Sequence, residues 1–323
     1  MTPHPISSTE LTNNFYDKAE TISFLPYELT IAGEILNPGT VDFSRLKKRS
    51  VIVKEALLND SGGNRFTGAF RYDGYSLFDI LNDRIIDKIN TEEFQQVIDL
   101  YVEIENGAGD KVVFSWGEIY YPADLHKIIL ATDVARIIPS KTKELWTLPV
   151  SCRIVSGKDL LTERNISDPV KITVRSYPKS FDTIKGMSPM YSEAFSMYED
   201  NNNLSKISCI PSGLNENTYN TVFYGRGRGI HSTSPFNGVL LKSVLGKFYP
   251  STRKNLMTGL FCFAAEDGYR MTVSYSELFN RNDQQEFLLI KSPRGEDGGL
   301  FRIFPAPDFF SDRAIKSLKD VHF

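Results

Sequence analysis

Cysteine is scarce in this 323-residue chain: Cys152, Cys209 and Cys262 are widely spaced, odd in number and form no C-x-x-C pair. That spacing excludes a zinc knuckle or a redox pair. Cys152 and Cys262 stand inside the apolar runs LPVSCRIV and GLFCFAA, where a small buried hydrophobe is expected rather than a reactive thiol. The four histidines, His4, His126, His231 and His322, are scattered, which argues against a histidine metal site. Neither sign of charge dominates: 37 basic against 40 acidic residues leave a net charge of -3. This gives no electrostatic reason to expect nucleic acid or an anionic membrane as partner. No apolar run reaches the length of a membrane-spanning helix. The opening MTPHPISSTELTNNF has no basic stretch followed by an apolar one, so no signal peptide is visible and a cytoplasmic protein is expected; a removed leader would make it periplasmic. Spacings for serine-triad or zinc-protease chemistry are also missing.

What the chain does have is an internal repeat. CRIVSGKDLLTERNI (152–166) and FRIFPAPDFFSDRAI (301–315) align without gaps, with Arg153/Arg302, Ile154/Ile303, Asp159/Asp308, Arg164/Arg313 and Ile166/Ile315 identical. At average residue usage roughly one identity is expected by chance. DGYSLFDIL (73–81) pairs with NGVLLKSVL (237–245), and VVFSWGEIY (112–120) with MTVSYSELF (271–279). Continuing the last alignment, IILA (128–131) falls on FLLI (287–290). The order is the same in both halves, so the repeat sets the architecture.

Many short alternating segments, few helical ones and no βαβ rhythm predict an α+β, mainly β fold. Residues 1–24 read as a polar tail, 25–177 as a first copy, 178–217 as a connecting region of irregular structure, and 218–323 as a second copy. Within the first copy, SGGNRFTG (61–68) reads as a loop. SLFDILNDRI (76–85) reads as a helix capped by Ser76, with Leu77, Ile80, Leu81 and Ile85 on one face.

These blocks carry a family resemblance. LTIAGEILNPG (29–39), VDFSRL (41–46), the two Gly-x-x-Leu helix starts, EDGYRMTVSYSEL (266–278) and GGLFRIFPAPD (298–308) follow one another as in the molybdopterin-binding domain of the sulfite oxidase family, which the chain resembles over most of 27–175 and about 221–323. The resemblance implies two such domains in tandem and molybdopterin as a cofactor. It also implies a molybdenum-ligating cysteine between the early strand and the helix start. That interval, KEALLNDSGGNRFTGAFRY (54–72) in one copy and VFYGRGRGIHSTSPF (222–236) in the other, contains none, and a thiolate is the natural ligand for such a centre.

The sharpest candidate site is the run Tyr224–Ser232, YGRGRGIHS. Alternating glycines expose backbone N–H groups, and Arg226, Arg228 and His231 suit a phosphate or carboxylate. Arg302 and Arg153, mid-strand in the two copies, are the next candidates. Asp159/Asp308 with Arg164/Arg313 read as loop-fixing ion pairs, and Glu118/Glu277 as the start of a helix or the cap of a turn. The expected function is binding, of an anionic small molecule at GRGRGIH or of a protein partner, by a non-catalytic or divergent molybdopterin-domain-like protein. The alternatives are a molybdopterin-dependent oxidoreductase, with Arg226, Arg228, His231 and Arg302 holding the cofactor, and a structural or assembly protein.

Overall fold

A computed structural model describes residues 20–26, 28–139 and 141–323. The polar tail expected over 1–24 therefore lies outside the described residues except for its last five, and of these Thr21–Ser23 form a strand. The fold is mainly β: the described residues form twenty-one strands, five α-helices of five or six residues and three 3-10 turns. No helix of the described residues is long and apolar enough to cross a membrane.

The first half contains β1 (Thr21–Ser23), β2 (Thr30–Gly33), β3 (Gly39–Thr40), β4 (Arg49–Leu58), β5 (Asn64–Ser76), β6 (Leu100–Asn106), β7 (Lys111–Ser115), β8 (Ile128–Arg136), β9 (Arg153–Ser156) and β10 (Pro169–Ser176). The second contains β11 (Phe195–Glu199), β12 (Asn202–Ile207), β13 (Glu216–Tyr219), β14 (Phe223–Gly225), β15 (Gly229–Ser232), β16 (Phe236–Leu240), β17 (Leu260–Ala265), β18 (Arg270–Ser274), β19 (Phe287–Lys291), β20 (Phe301–Pro305) and β21 (Leu318–His322). Period-two burial explains the longest strand. Along β5, Gly68, Phe70, Tyr72, Gly74 and Ser76 are buried while the residues between them are half-exposed.

The repeat is one of topology as well as sequence. The sheet β3-β2-β10-β6-β7 has its counterpart in β12-β11-β21-β17-β18. In each, the last strand of the copy enters the middle of the sheet, parallel to the first: β10 beside β2 and β21 beside β11. The second sheet of each copy also corresponds, β4-β5-β8-β9 matching β13-β16-β19-β20, with β1 an addition to the first copy. Helices α1 (Leu77–Leu81) and α2 (Trp116–Tyr120) recur as α3 (Leu241–Leu245) and α5 (Tyr275–Phe279); α4 (Arg253–Thr258) precedes β17 in the second copy. Ser76, Ser115 and Ser274 cap α1, α2 and α5, each accepting a backbone N–H three residues on.

Several expectations change on this frame. The 178–217 stretch is not merely connecting, because β11 and β12 complete one sheet of the second copy and β13 edges the other. Gly-rich 61–68 narrows to a turn, with β5 already under way at Asn64. Helix α1 stops at Leu81, which leaves Ile85 58% exposed rather than on the apolar face. One hydrophobic cluster runs across both copies, from Leu29 and Phe114 of the first to Phe261 and Val321 of the second, and a smaller one, with Val53, Phe70 and Val134, lies within the first.

His322, in β21, stacks on Tyr198 at 4.7 Å between ring centres and meets Phe181 edge-on at 5.4 Å. Its Nε2 is buried with no hydrogen-bond partner among the described residues. Burial, with a smaller push from Lys179, lowers its pKa from 6.5 to about 4. The unfolded chain therefore takes up a proton near pH 6.5 that the folded chain refuses until about pH 4. The stability contribution is complete above the unfolded value and is lost as pH falls through this window. His322→Phe should lose about 2 kcal/mol less than the parent between pH 7 and 4, read from urea unfolding at each pH. Equal losses in the two proteins would refute the assignment.

Candidate functional site

The residues shared by the copies meet at the junction between them. Arg164 is fully buried and grips Asp159 through Nε and Nη2, at 2.8 and 2.7 Å, and Glu118 through Nη1 and Nη2, at 2.9 and 3.0 Å. Arg313 does the same in the second copy, donating to Asp308 through Nε and Nη2 and to Glu277 through Nη2. The capping serines then cross over: Ser115 Oγ donates to Glu277 at 2.6 Å, and Ser274 Oγ to Glu118 at 2.8 Å. Backbone bonds cross in the same way, Leu160 N to the Asn280 carbonyl at 2.7 Å and Phe309 N to the Tyr121 carbonyl at 2.8 Å. Burial pushes the Glu118 carboxyl above its ordinary pKa against the pull of Arg164. In the other copy Arg313 and the Ser115 hydroxyl outweigh burial and hold Glu277 below it. The loop-fixing pairs and the helix-start glutamates are thus parts of one network, relating the copies by a pseudo-twofold axis.

Beside that network lies a pocket of about 230 Å³, lined from both copies. Here the copies differ. Position 158 is lysine where the second copy has Pro307, and position 281 is arginine where the first has Pro122. Lys158 is 9% exposed, and its Nζ has one hydrogen bond, to the Glu118 carbonyl at 3.5 Å. It makes no ion pair among the described residues. Burial, then the neighbouring Arg281, lower its pKa. Arg281 is held by Asp283 through Nε and Nη2, and Lys127 faces Asp124 at 3.5 Å. Of the three cations lining the pocket, Lys158 alone has no carboxylate partner among the described residues.

The expected site residues are placed otherwise. Arg226 and Arg228 occupy the turn of the hairpin β14–β15 and His231 its second strand. Arg226 is ion-paired with Asp312 at 2.6 Å and lies over the Tyr121 ring. Arg228 is exposed and makes no ion pair among the described residues. His231 packs at a tilt against Phe223, 5.5 Å between ring centres, and fills the space beside Gly225. Arg302 meets none of them; its Nη2 donates to the Asp297 carbonyl at 2.7 Å, against Gly298. In the first copy, Arg153 is taken up by Glu55 and the Asn165 carbonyl. The hairpin also carries the exposed side chains Val222, Tyr224 and Ile230, with Phe309 against Tyr224.

These placements bear on the cofactor that the resemblance implies. Cys152 and Cys262 are buried, burial raises the Cys262 thiol above its ordinary pKa, and Cys209 is exposed outside the expected interval. No thiolate stands where that family's metal is ligated, and the arginines meant for the pterin phosphate do not converge. The residues present do not fit molybdopterin. Neither Lys158 nor Arg281 stands out by residue type or motif; the signal that finds them is their mismatch with prolines in the other copy. Compared with protein-family models, curated proteins and solved structures, the chain finds no match.

Proposed function

We propose that this protein binds a small organic anion in the pocket beside the pseudo-twofold network, with Lys158 as the charge partner. The order of the sequence blocks supports reading the two copies as divergent sulfite-oxidase-like domains, and the missing thiolate favours a binding role over that family's oxygen-atom transfer. The observation that carries the reading is a buried lysine with no carboxylate in a pocket whose other cations are neutralised. A buried ammonium without a counter-ion is costly, and an anion that supplies one is correspondingly favoured. Of the shared acids and bases, Asp159/Asp308, Glu118/Glu277 and Arg164/Arg313 are consumed in the network and Arg153 and Arg302 are bound elsewhere, so the diverged positions are the ones left to meet a ligand.

Titrating the protein with malonate and with inorganic phosphate, by calorimetry, tests this. A charge-assisted hydrogen bond is worth about 1.5–3 kcal/mol, so Lys158→Met should weaken binding by about 10- to 150-fold. Arg226→Ala/Arg228→Ala should leave it unchanged. The reverse pattern would return the site to the hairpin, and no binding of either anion would sink the reading.

A further inference from the structure

The same lysine has the surroundings of a reactive amine. We infer that Lys158 condenses with the carbonyl group of a small oxo acid whose carboxylate faces Arg281, holding the ligand as an imine. This rests on the anion-binding reading and adds the ligand's second functional group. Three features of the pocket support it. The Nζ of Lys158 has a single 3.5 Å hydrogen bond and no ion pair, so nothing locks it as an ammonium. Arg281 is its cationic neighbour; a lysine both desolvated and beside another cation is activated as a nucleophile. Finally, two bonds to Asp283 clamp Arg281 through Nε and Nη2, while Nη1 has no protein partner among the described residues and is left for a carboxylate.

The step balances without any redox partner. The neutral amine lone pair forms the C–N bond as the carbonyl π pair moves to oxygen. One proton passes from nitrogen to that oxygen, giving a carbinolamine. Loss of water, with a second proton leaving nitrogen, then gives the C=N bond. Asp124, which lines the same pocket, is the carboxylate on hand to carry these protons.

The test is reductive trapping on the full chain: pyruvate with cyanoborohydride at pH 7, followed by intact mass and peptide mapping. One adduct per chain is expected, on the peptide containing Lys158, formed faster than on any other lysine, since a lowered pKa raises the neutral fraction of the amine. Lys158→Arg keeps a cation and removes the nucleophile, so it should give no such adduct, whereas Lys254→Arg, at an exposed position outside the pocket, should trap pyruvate as the parent does. Adducts spread evenly over exposed lysines outside the pocket, such as Lys47 and Lys254, would overturn the imine. So would malonate binding that depends on Lys158 without trapping, and that result leaves the anion site standing. Failure of malonate and pyruvate alike would remove both.

Discussion

Arg313→Leu is expected to lower the unfolding free energy by about 3–5 kcal/mol, the cost of breaking a buried ion pair from one side. The substitution strands two buried carboxylates, Asp308 and Glu277, whose charges Arg313 neutralises. The side chain is fully buried, so water cannot replace the lost bonds. Urea unfolding at neutral pH measures the effect, and a loss below about 1 kcal/mol, the range of an exposed pair, would show that the network is not structural. Arg164→Leu should behave alike in the first copy. The serine crossovers predict that the two substitutions are not additive, because each arginine's glutamate also accepts from the opposite copy. Strict additivity in the double variant would mean that the serine crossovers do not couple the two ion-paired clusters.

Gly74→Ala should cost about 3 kcal/mol, at the upper end for inserting a methyl group where none fits. A Cβ there would stand 2.0 Å from the Leu130 carbonyl oxygen on the neighbouring strand β8, and a backbone atom cannot rotate away. The strand pairing already has an irregularity between Asp73 and Gly74, and α1 starts three residues on, so a shift would propagate to the helix cap. The matching glycine of the second copy, Gly238, leaves 2.6 Å to the Leu289 carbonyl, so Gly238→Ala should be the milder change. In melting temperature the Gly74 variant should fall by about 4 °C, given the unfolding entropy of a chain this long. Equal effects at the two positions would contradict the geometry.

How much of this could be read in advance depended on how far apart the interacting residues lie. Ion pairing of Asp159 with Arg164 spans five positions and was legible, as was the serine cap of α1. The crossover from Ser115 to Glu277 spans 162 positions and left no local trace; what the repeat displayed was its consequence, identical residues in both copies. The polar run MYEDNNNLSK read as a connector because β12 is mostly exposed and has no apolar period. Its signal was the pair Asp200–Asn201, whose positive φ values of 46° and 68° make the two-residue hairpin turn between β11 and β12. The anion site was sought at GRGRGIH because arginines between glycines suggest a grip. Asp312, 86 positions away, takes up Arg226, and pairing at that separation is invisible to motif reading.

The placing of β10 and β21 at the centres of their sheets has a consequence for synthesis. Strand β2 leaves the ribosome long before β10, its parallel neighbour, and Ile31 must wait for Ile172; contacts of such separation form slowly. A nascent chain that ends before residue 169 holds an unclosed sheet with β2 and β6 both lacking their shared neighbour. It is then exposed to mispairing with other chains. Once β10 emerges, the first copy can close while most of the second is still unmade, leaving Glu118 and Arg164 to wait for Ser274. Chain order thus gives each copy a sheet that its own final strand completes, and the buried crossovers can join the two only once Ser274 has been made.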